Sequence, residues 1–139
     1  MKAGESYTYF DHDADIGIVG HGSSLESAFE SAAEAMFAIM AELEQIKPIN
    51  EINISFEESD PEYALVTWLN LLIAEAREQG LALGKFSITR NNLHWQGHAW
   101  GEPWRGDLER GVEVKGATLT MLSVKNVEGM WEASCIVDV

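Results

Sequence analysis

Three carboxylates and an imidazole stand within five residues near the start of the chain, in Asp11-His12-Asp13-Ala14-Asp15. Oxygen donors at this density suit hard cations such as Mg²⁺, Ca²⁺ or Mn²⁺, and the histidine admits a more borderline metal. The segment lacks the later glycine and terminal glutamate of an EF-hand loop, which excludes that geometry. The plain alternative is a solvated acidic turn whose aspartates cap nearby backbone groups. Composition leaves both readings open.

A further carboxylate, Asp138, follows the run Ser134-Cys135-Ile136-Val137, which reads as a buried strand. If a final hairpin turns at residues 126–129, Asp138 faces approximately Ala117. Lys115 is then a diagonal neighbour at roughly 7–8 Å, able to pair with the carboxylate or with a bound anion. The apolar pattern changes phase near Gly116, where a bulge would send Lys115 to the other face.

Other polar groups carry less. His21, between two glycines, reads as a turn residue. His94 and His98 share one face of a strand pattern; they could ligate a metal, but alternation favours a solvated polar face. Trp104, with Arg105 beside it, either fills the edge of the core or contacts a protein partner. The single cysteine, Cys135, has apolar neighbours and reads as a structural thiol. The chain holds no phosphate-binding Gly-rich loop, no Gly-x-Ser-x-Gly elbow and no Cys-x-x-Cys pair, so those chemistries lack support.

The elements that must position these groups follow from periodicity. Ser23-Ser24-Leu25-Glu26 has a capping-box pattern and precedes apolar residues at helical spacing, Leu25, Phe29, Ala32, Met36, Ile39, Met40 and Leu43. Asp60-Pro61 is an N-cap followed by proline at the first helical position. A wide stripe from Leu65 to Ala76 follows, with Gly80 as C-cap. Strands are expected at 7–10 and 16–20, flanking the acidic loop, and around Ile52, Ile54 and Phe56. Further strands are expected at 86–90 and 93–100 across an Asn91-Asn92 turn, and at 112–125 and 130–138. Residues 101–111 read as a loop. The expected fold is therefore α+β, two helices on a mostly antiparallel sheet, in one domain spanning 1–139.

Nine Lys and Arg stand against 23 Asp and Glu, a formal net charge of −14. Such a chain is repelled by nucleic-acid phosphates, so direct nucleic-acid binding and anionic membranes are disfavoured, and a basic protein partner or cations are favoured. No stretch approaches the roughly 18–20 apolar residues of a membrane span. The first ten residues contain no apolar run of signal-peptide type. A reducing cytoplasm is the expected compartment. Oligomeric state is not legible.

Taken together these residues resemble a family. Phe10-Asp11-His12-Asp13-Ala14-Asp15-Ile16 closely resembles the Asp-His-Thr-Ala-Asp-Ile signature of the archease proteins. Leu65-Val66-Thr67-Trp68-Leu69-Asn70-Leu71-Leu72 is similar to the family's Trp-Leu-x-x-Leu-Leu helix. Glu113-Val114-Lys115-Gly116-Ala117-Thr118 is like its Val-Lys-Ala-x-Thr, and Val137-Asp138-Val139 is like its terminal Asp-Ile or Asp-Val. The similarity also takes in Gly101-Glu102 and runs through nearly the whole chain in order.

The resemblance implies a strand-helix-strand-strand module inserted into another of the same type. It implies a cytoplasmic accessory protein, not a catalyst, that promotes guanylylation and multiple turnover of an RtcB-type RNA ligase in tRNA splicing or RNA repair. It implies a divalent metal ion (Ca, Mg or Mn) at Asp15 and Asp138, with His12 and Asp11 nearby and Lys115 as the essential basic residue. A chaperone-like role is a weaker implication. Three positions depart from the family pattern: Asp13 replaces a threonine, Glu109-Arg110-Gly111 lacks a frequent histidine, and Leu119-Thr120 stands where Tyr-His is common. Independently of the resemblance, a small metal-dependent phosphoesterase with His12 as general base is an alternative, as is a binding module using the 100–110 loop.

Overall fold

A computed structural model describes residues 6–139. Residues 1–5, and with them half of the stretch searched for a leader, lie outside the described residues. The chain forms β1 (Tyr7–His12), β2 (Asp15–Gly22), α1 (Leu25–Met40), a 3-10 turn (Leu43–Gln45), β3 (Asn50–Glu57) and α2 (Pro61–Gln79). It continues with β4 (Leu81–Asn91), β5 (His94–Pro103), β6 (Gly116–Ala117), β7 (Ser123–Val127) and β8 (Met130–Asp138). No helix among the described residues is long and apolar enough to cross a membrane.

All strand pairs are antiparallel. They build a larger sheet, β1-β2-β8 with β6 and β7 both on the far side of β8, and a smaller one, β3-β5-β4. The segment β3-α2-β4-β5 is one strand-helix-strand-strand module. It is inserted after α1 into a second, β2-α1-β7-β8, and the orders β3-β5-β4 and β2-β8-β7 repeat each other. The α+β class and the inserted-module expectation both hold.

The helices pack against both sheets. Helix α1 lies on β2 and β8 and along β4. It comes so close to β2 that a Cβ at Gly20 would meet the Ala28 carbonyl and the Ala32 backbone. Trp68 of α2 is fully buried over Gly97 of β5, and its indole N–H donates to the Phe29 carbonyl of α1 at 3.1 Å. Phe29 stacks on Trp95 at 5.0 Å. One side chain thus joins both helices to the smaller sheet, burying apolar surface and satisfying a polar handle together.

Local chemistry explains the element ends, with some corrections. The capping box of α1 is centred on Ser24, one residue later than the sequence pattern suggests. Ser24 Oγ accepts the Ser27 N–H, and Ser27 Oγ accepts the Ser24 N–H, each at 3.0 Å. Strand β2 runs through Gly22, and α1 starts at Leu25, directly after Ser24. For α2 the expected ends stand: Asp60 Oδ1 accepts the Glu62 N–H at 2.8 Å, Pro61 opens the helix, and Gly80 closes it with φ +66°. The 86–100 hairpin turns on Asn92, with φ +58°, and Leu93. Strand β5 extends into the expected 101–111 loop as far as Pro103. His21 lies in β2 opposite Glu132, not in a turn.

The largest correction concerns residues 112–125. They form no continuous strand; only β6 and β7 pair with β8, separated by a loop that contains Met121 at φ +51°. The extra loop residues shift the register, so Asp138 faces Gly116 and not Ala117.

Candidate functional site

The acidic segment at the start of the chain is mostly strand. The β1–β2 hairpin turns on two residues only, Asp13, with φ +51°, and Ala14. His12 therefore pairs opposite Asp15. Strand β2 pairs with β8 as far as Ile16 opposite Val137, and one further step of that register brings Asp15 level with Asp138. Asp138 in turn faces Gly116. His12, Asp15, Asp138 and Gly116 thus form one row across the end of the larger sheet. Opposed residues share a face, with Cβ atoms roughly 4.5–5.5 Å apart.

That face is the one turned away from the helices. Along β8, Ala133, Cys135 and Val137 point into the core, so Asp138 points outward by alternation. Asp15 is half-buried and its Oδ1 accepts the Val139 N–H at 3.3 Å, which ties the hairpin to the end of β8. His12 Nδ1 is buried and has no hydrogen-bond partner among the described residues. The Asp13 carboxylate, at 3.9 Å, is too far to accept from it. Asp11, opposite Ile16, falls on the other face of the hairpin and is exposed.

Lys115 is exposed and lies just before β6. Its N–H donates to the Asp138 carbonyl at 2.8 Å. The sequence argument put its side chain diagonal to Asp138 through a register that the structure does not keep. Proximity is instead provided by this backbone bond.

These donors fit a divalent cation in part. Two carboxylates in one row and an orphaned imidazole nitrogen are the right chemistry. Among the described residues, however, no group of three or more His, Cys, Asp or Glu side chains converges closely enough to hold an ion by itself. The row supplies a partial ligand set, which water or a second macromolecule would complete.

The other flagged residues are placed elsewhere. Arg105 is engaged inside the fold. It donates to Glu102 Oε1 at 3.0 Å and to the Gln45 carbonyl at 2.8 Å, and it meets Asp107 at 2.8 Å. Glu102 is 5% exposed, and hydrogen bonds from Arg105 first, then from the Lys47 N–H, hold its carboxyl below the usual range. This triad anchors the loop after β5 to the 3-10 turn. Trp104 is half-buried, stacks under the Arg110 guanidinium at 3.9 Å and packs with Ala41, Ile46, Ala82 and Leu108. It lines a cavity of about 560 Å³ between the C-terminal ends of the two helices, with Arg77, Arg110 and Glu113 among otherwise mostly apolar lining residues. His94 and His98 stand on the polar outer face of the smaller sheet, bonded to Ser55 at 3.2 Å and to Glu51 at 3.0 Å. Burial pushes the Cys135 thiol up to about 12, so it is inert at neutral pH.

Sequence reasoning missed the grip of α2 on residues 113–124, through Asn70, Arg77 and Glu62. The only signal was a polar residue, Asn70, set inside the apolar run Leu69–Leu72 of a buried helix.

Comparison with known proteins agrees with the fold. The model of the Archease protein family matches residues 7–139. The archease of Sulfolobus acidocaldarius is 37% identical over 136 residues, covering 96% of this chain and 98% of that protein. An archease of Saccharolobus islandicus is 33% identical over 137 residues, covering 96% and 99%. The solution structure of protein 1598 of Methanobacterium thermoautotrophicum superposes with a TM-score of 0.87 at 29% identity, covering 97% of this chain and 99% of that one. The crystal structure of an archease from Thermotoga maritima, described as a possible chaperone, shares the fold with a TM-score of 0.65 at 20% identity, covering 94% of each chain.

Proposed function

The chain belongs to the Archease protein family, and from that premise we propose that it is a non-catalytic, metal-dependent accessory protein of an RtcB-type RNA ligase in the cytoplasm. The observation that carries this reading is the row His12–Asp15–Asp138, with Lys115 bonded to the same strand end. Asp15 and Asp138 would hold the cation, with His12 as a third donor. Asp11, on the opposite face, contributes charge and no ligand. A divalent ion at that place supplies positive charge to the ligase's nucleotide phosphates during guanylylation.

The residues of this chain divide the work. Asp15 and Asp138 orient their oxygens from two hydrogen-bonded strands, so their spacing is fixed before any partner arrives. Lys115, exposed and bonded through its N–H to the Asp138 carbonyl, carries an ammonium, a point charge suited to a phosphate or to a carboxylate of the partner. An open donor set at the end of a sheet is accessible to a second protein's active site, as an accessory role requires. Against the phosphoesterase alternative, the cavity lined by Trp104 reaches residues 110–114 but is lined by none of His12, Asp15 and Asp138.

The test is multiple-turnover ligation by a cognate ligase with GTP and Mn²⁺. Wild type raises turnover, whereas Asp15→Ala, Asp138→Ala and Lys115→Ala do not. Equal stimulation by Asp15→Ala and wild type would sink the proposal.

A further inference from the structure

Strand β6 is two residues long and, among the described residues, pairs only with β8. Thr118 N–H donates to the Ile136 carbonyl at 3.0 Å, so the N–H and C=O of the preceding Ala117 point away from β8, toward the free edge of the sheet. No strand among the described residues covers that edge. Asn70 of α2 does: its Oδ1 accepts the Ala117 N–H at 2.8 Å and its Nδ2 donates to the Ala117 carbonyl at 3.1 Å. A side-chain amide has the one donor and one acceptor that a strand partner would offer.

The grip extends along the helix. Arg77 stands seven residues after Asn70, two turns along the same stripe, and its guanidinium donates to the Val114 carbonyl at 2.9 Å. Glu62, in the first turn, accepts the Val124 N–H at 3.3 Å. Three polar side chains of one helix therefore hold backbone groups at residues 114, 117 and 124. Two of these holds, at 114 and 117, bracket Lys115, whose own N–H bonds the Asp138 carbonyl.

We propose that Asn70 is a positioning residue for the acidic row: its amide serves as a surrogate strand edge that fixes β6 on β8, and with Arg77 it sets Lys115 against Asp138. The inference rests on the function proposed above for its purpose, though the clamp itself stands on geometry. Without it, the short run of bonds from the Lys115 N–H to the Thr118 N–H would have to hold the register by itself, and a one-residue slip would carry Lys115 to the other face. The polar residue inside an otherwise apolar helix run is thereby explained, because Leu there would fill the space and leave both Ala117 groups unpaired.

Two variants of the full chain test this, Asn70→Leu, which keeps the size and loses both bonds, and Asn70→Asp, which keeps the acceptor. The first measurement is backbone amide hydrogen exchange by NMR. The expected result is at least tenfold faster exchange at Ala117 and Lys115 in Asn70→Leu, with Ile52 and Ile88 as in wild type, and a smaller change in Asn70→Asp. Unchanged exchange at Ala117, or equal acceleration at every amide, overturns the clamp. The second is Mn²⁺ titration by calorimetry, where Asn70→Leu is expected to bind at least tenfold more weakly than wild type. If Asn70→Leu binds as wild type does, the positioning role is wrong. A wild-type chain that binds no Mn²⁺ counts against the metal reading of the row, while the exchange result still decides the clamp.

Discussion

At the scale of single residues, the account turns on which face a carboxylate occupies. Asp11 and Asp15 are the same residue type four apart in sequence, yet the two-residue turn at Asp13-Ala14 puts them on opposite faces of the hairpin. Only Asp15 shares a row with Asp138. Asp15→Asn is therefore expected to lower Mn²⁺ affinity at least tenfold, and Asp11→Asn to change it less than threefold, both read by calorimetry. Each variant should unfold within about 0.5 kcal/mol of wild type in urea, as surface changes do. Equal losses in the two variants would mean that the metal does not distinguish the faces. The crowding of aspartates was plain in the sequence, but their division between faces was not, because it depends on a turn one residue shorter or longer.

Two glutamates of α1 allow a test with pH. Burial first raises the pKa of both Glu30 and Glu34, although the Ile88 N–H, donated to Glu30 at 3.0 Å, opposes this for Glu30. A folded pKa above the unfolded one means that the ionised form is the less comfortable one in the fold. The contribution is present below the ordinary carboxylate pKa and is lost as pH rises through the folded value. Glu30→Gln keeps an acceptor for Ile88 without the charge, so it should be the more stable chain at pH 7. Because Glu30 is half-exposed, the rise in Tm is small, on the order of 1–2 °C, and it vanishes near pH 4. A lower Tm for the variant at pH 7 would show that the charged hydrogen bond outweighs burial.

At the scale of elements, legibility followed how local the cause was. The ends of α2 are written in three residues, Asp60, Pro61 and Gly80, each acting on its own backbone. The cap of α1 falls one residue later than the pattern because Ser23 and Ser24 offer the same hydroxyl, and Ser27 at N3, not Glu26, closes the box. Residues 112–125 read as one strand in the sequence, but only two short stretches of them pair with β8, and backbone groups at 114, 117 and 124 are held by side chains of α2. Alternation reports a ladder between strands and is silent about such a clamp. Helix α2 is also the element on which the core depends. Trp68→Ala should cost about 3–5 kcal/mol in urea denaturation, the range for deleting a buried aromatic. Trp68→Phe should cost about 1–3 kcal/mol, since it loses the indole N–H bond to the Phe29 carbonyl and leaves part of the indole's space unfilled. A cost under 1 kcal/mol for Trp68→Ala would contradict the packing described.

At the scale of the whole molecule, the inserted-module architecture has a functional consequence. The outer module is interrupted after α1, and its sheet closes only when β8 returns between β2 and β7. Asp15 and Asp138 are therefore far apart in sequence and adjacent in space. The family resemblance carried that pairing in the sequence; composition alone could not. The charge of −14 acts at this scale too, and would assist encounter with the proposed ligase if the docking face of that partner is basic. Association with a cognate ligase should slow at least tenfold between 50 mM and 500 mM salt, with dissociation little changed, because steering is screened beyond roughly 10 Å at 0.1 M. A salt-independent association rate, measured by stopped flow, would remove electrostatics from the docking account.

The central claim is that Asp15 and Asp138 together hold a divalent cation at the open end of the larger sheet. A crystal soaked in Mn²⁺ and measured at an anomalous wavelength addresses it most directly. The account predicts an anomalous peak between the two carboxylates, within about 2.1–2.6 Å of an oxygen of each. A saturated crystal with no peak there, or with its only peak on the Asp11 face, would contradict it.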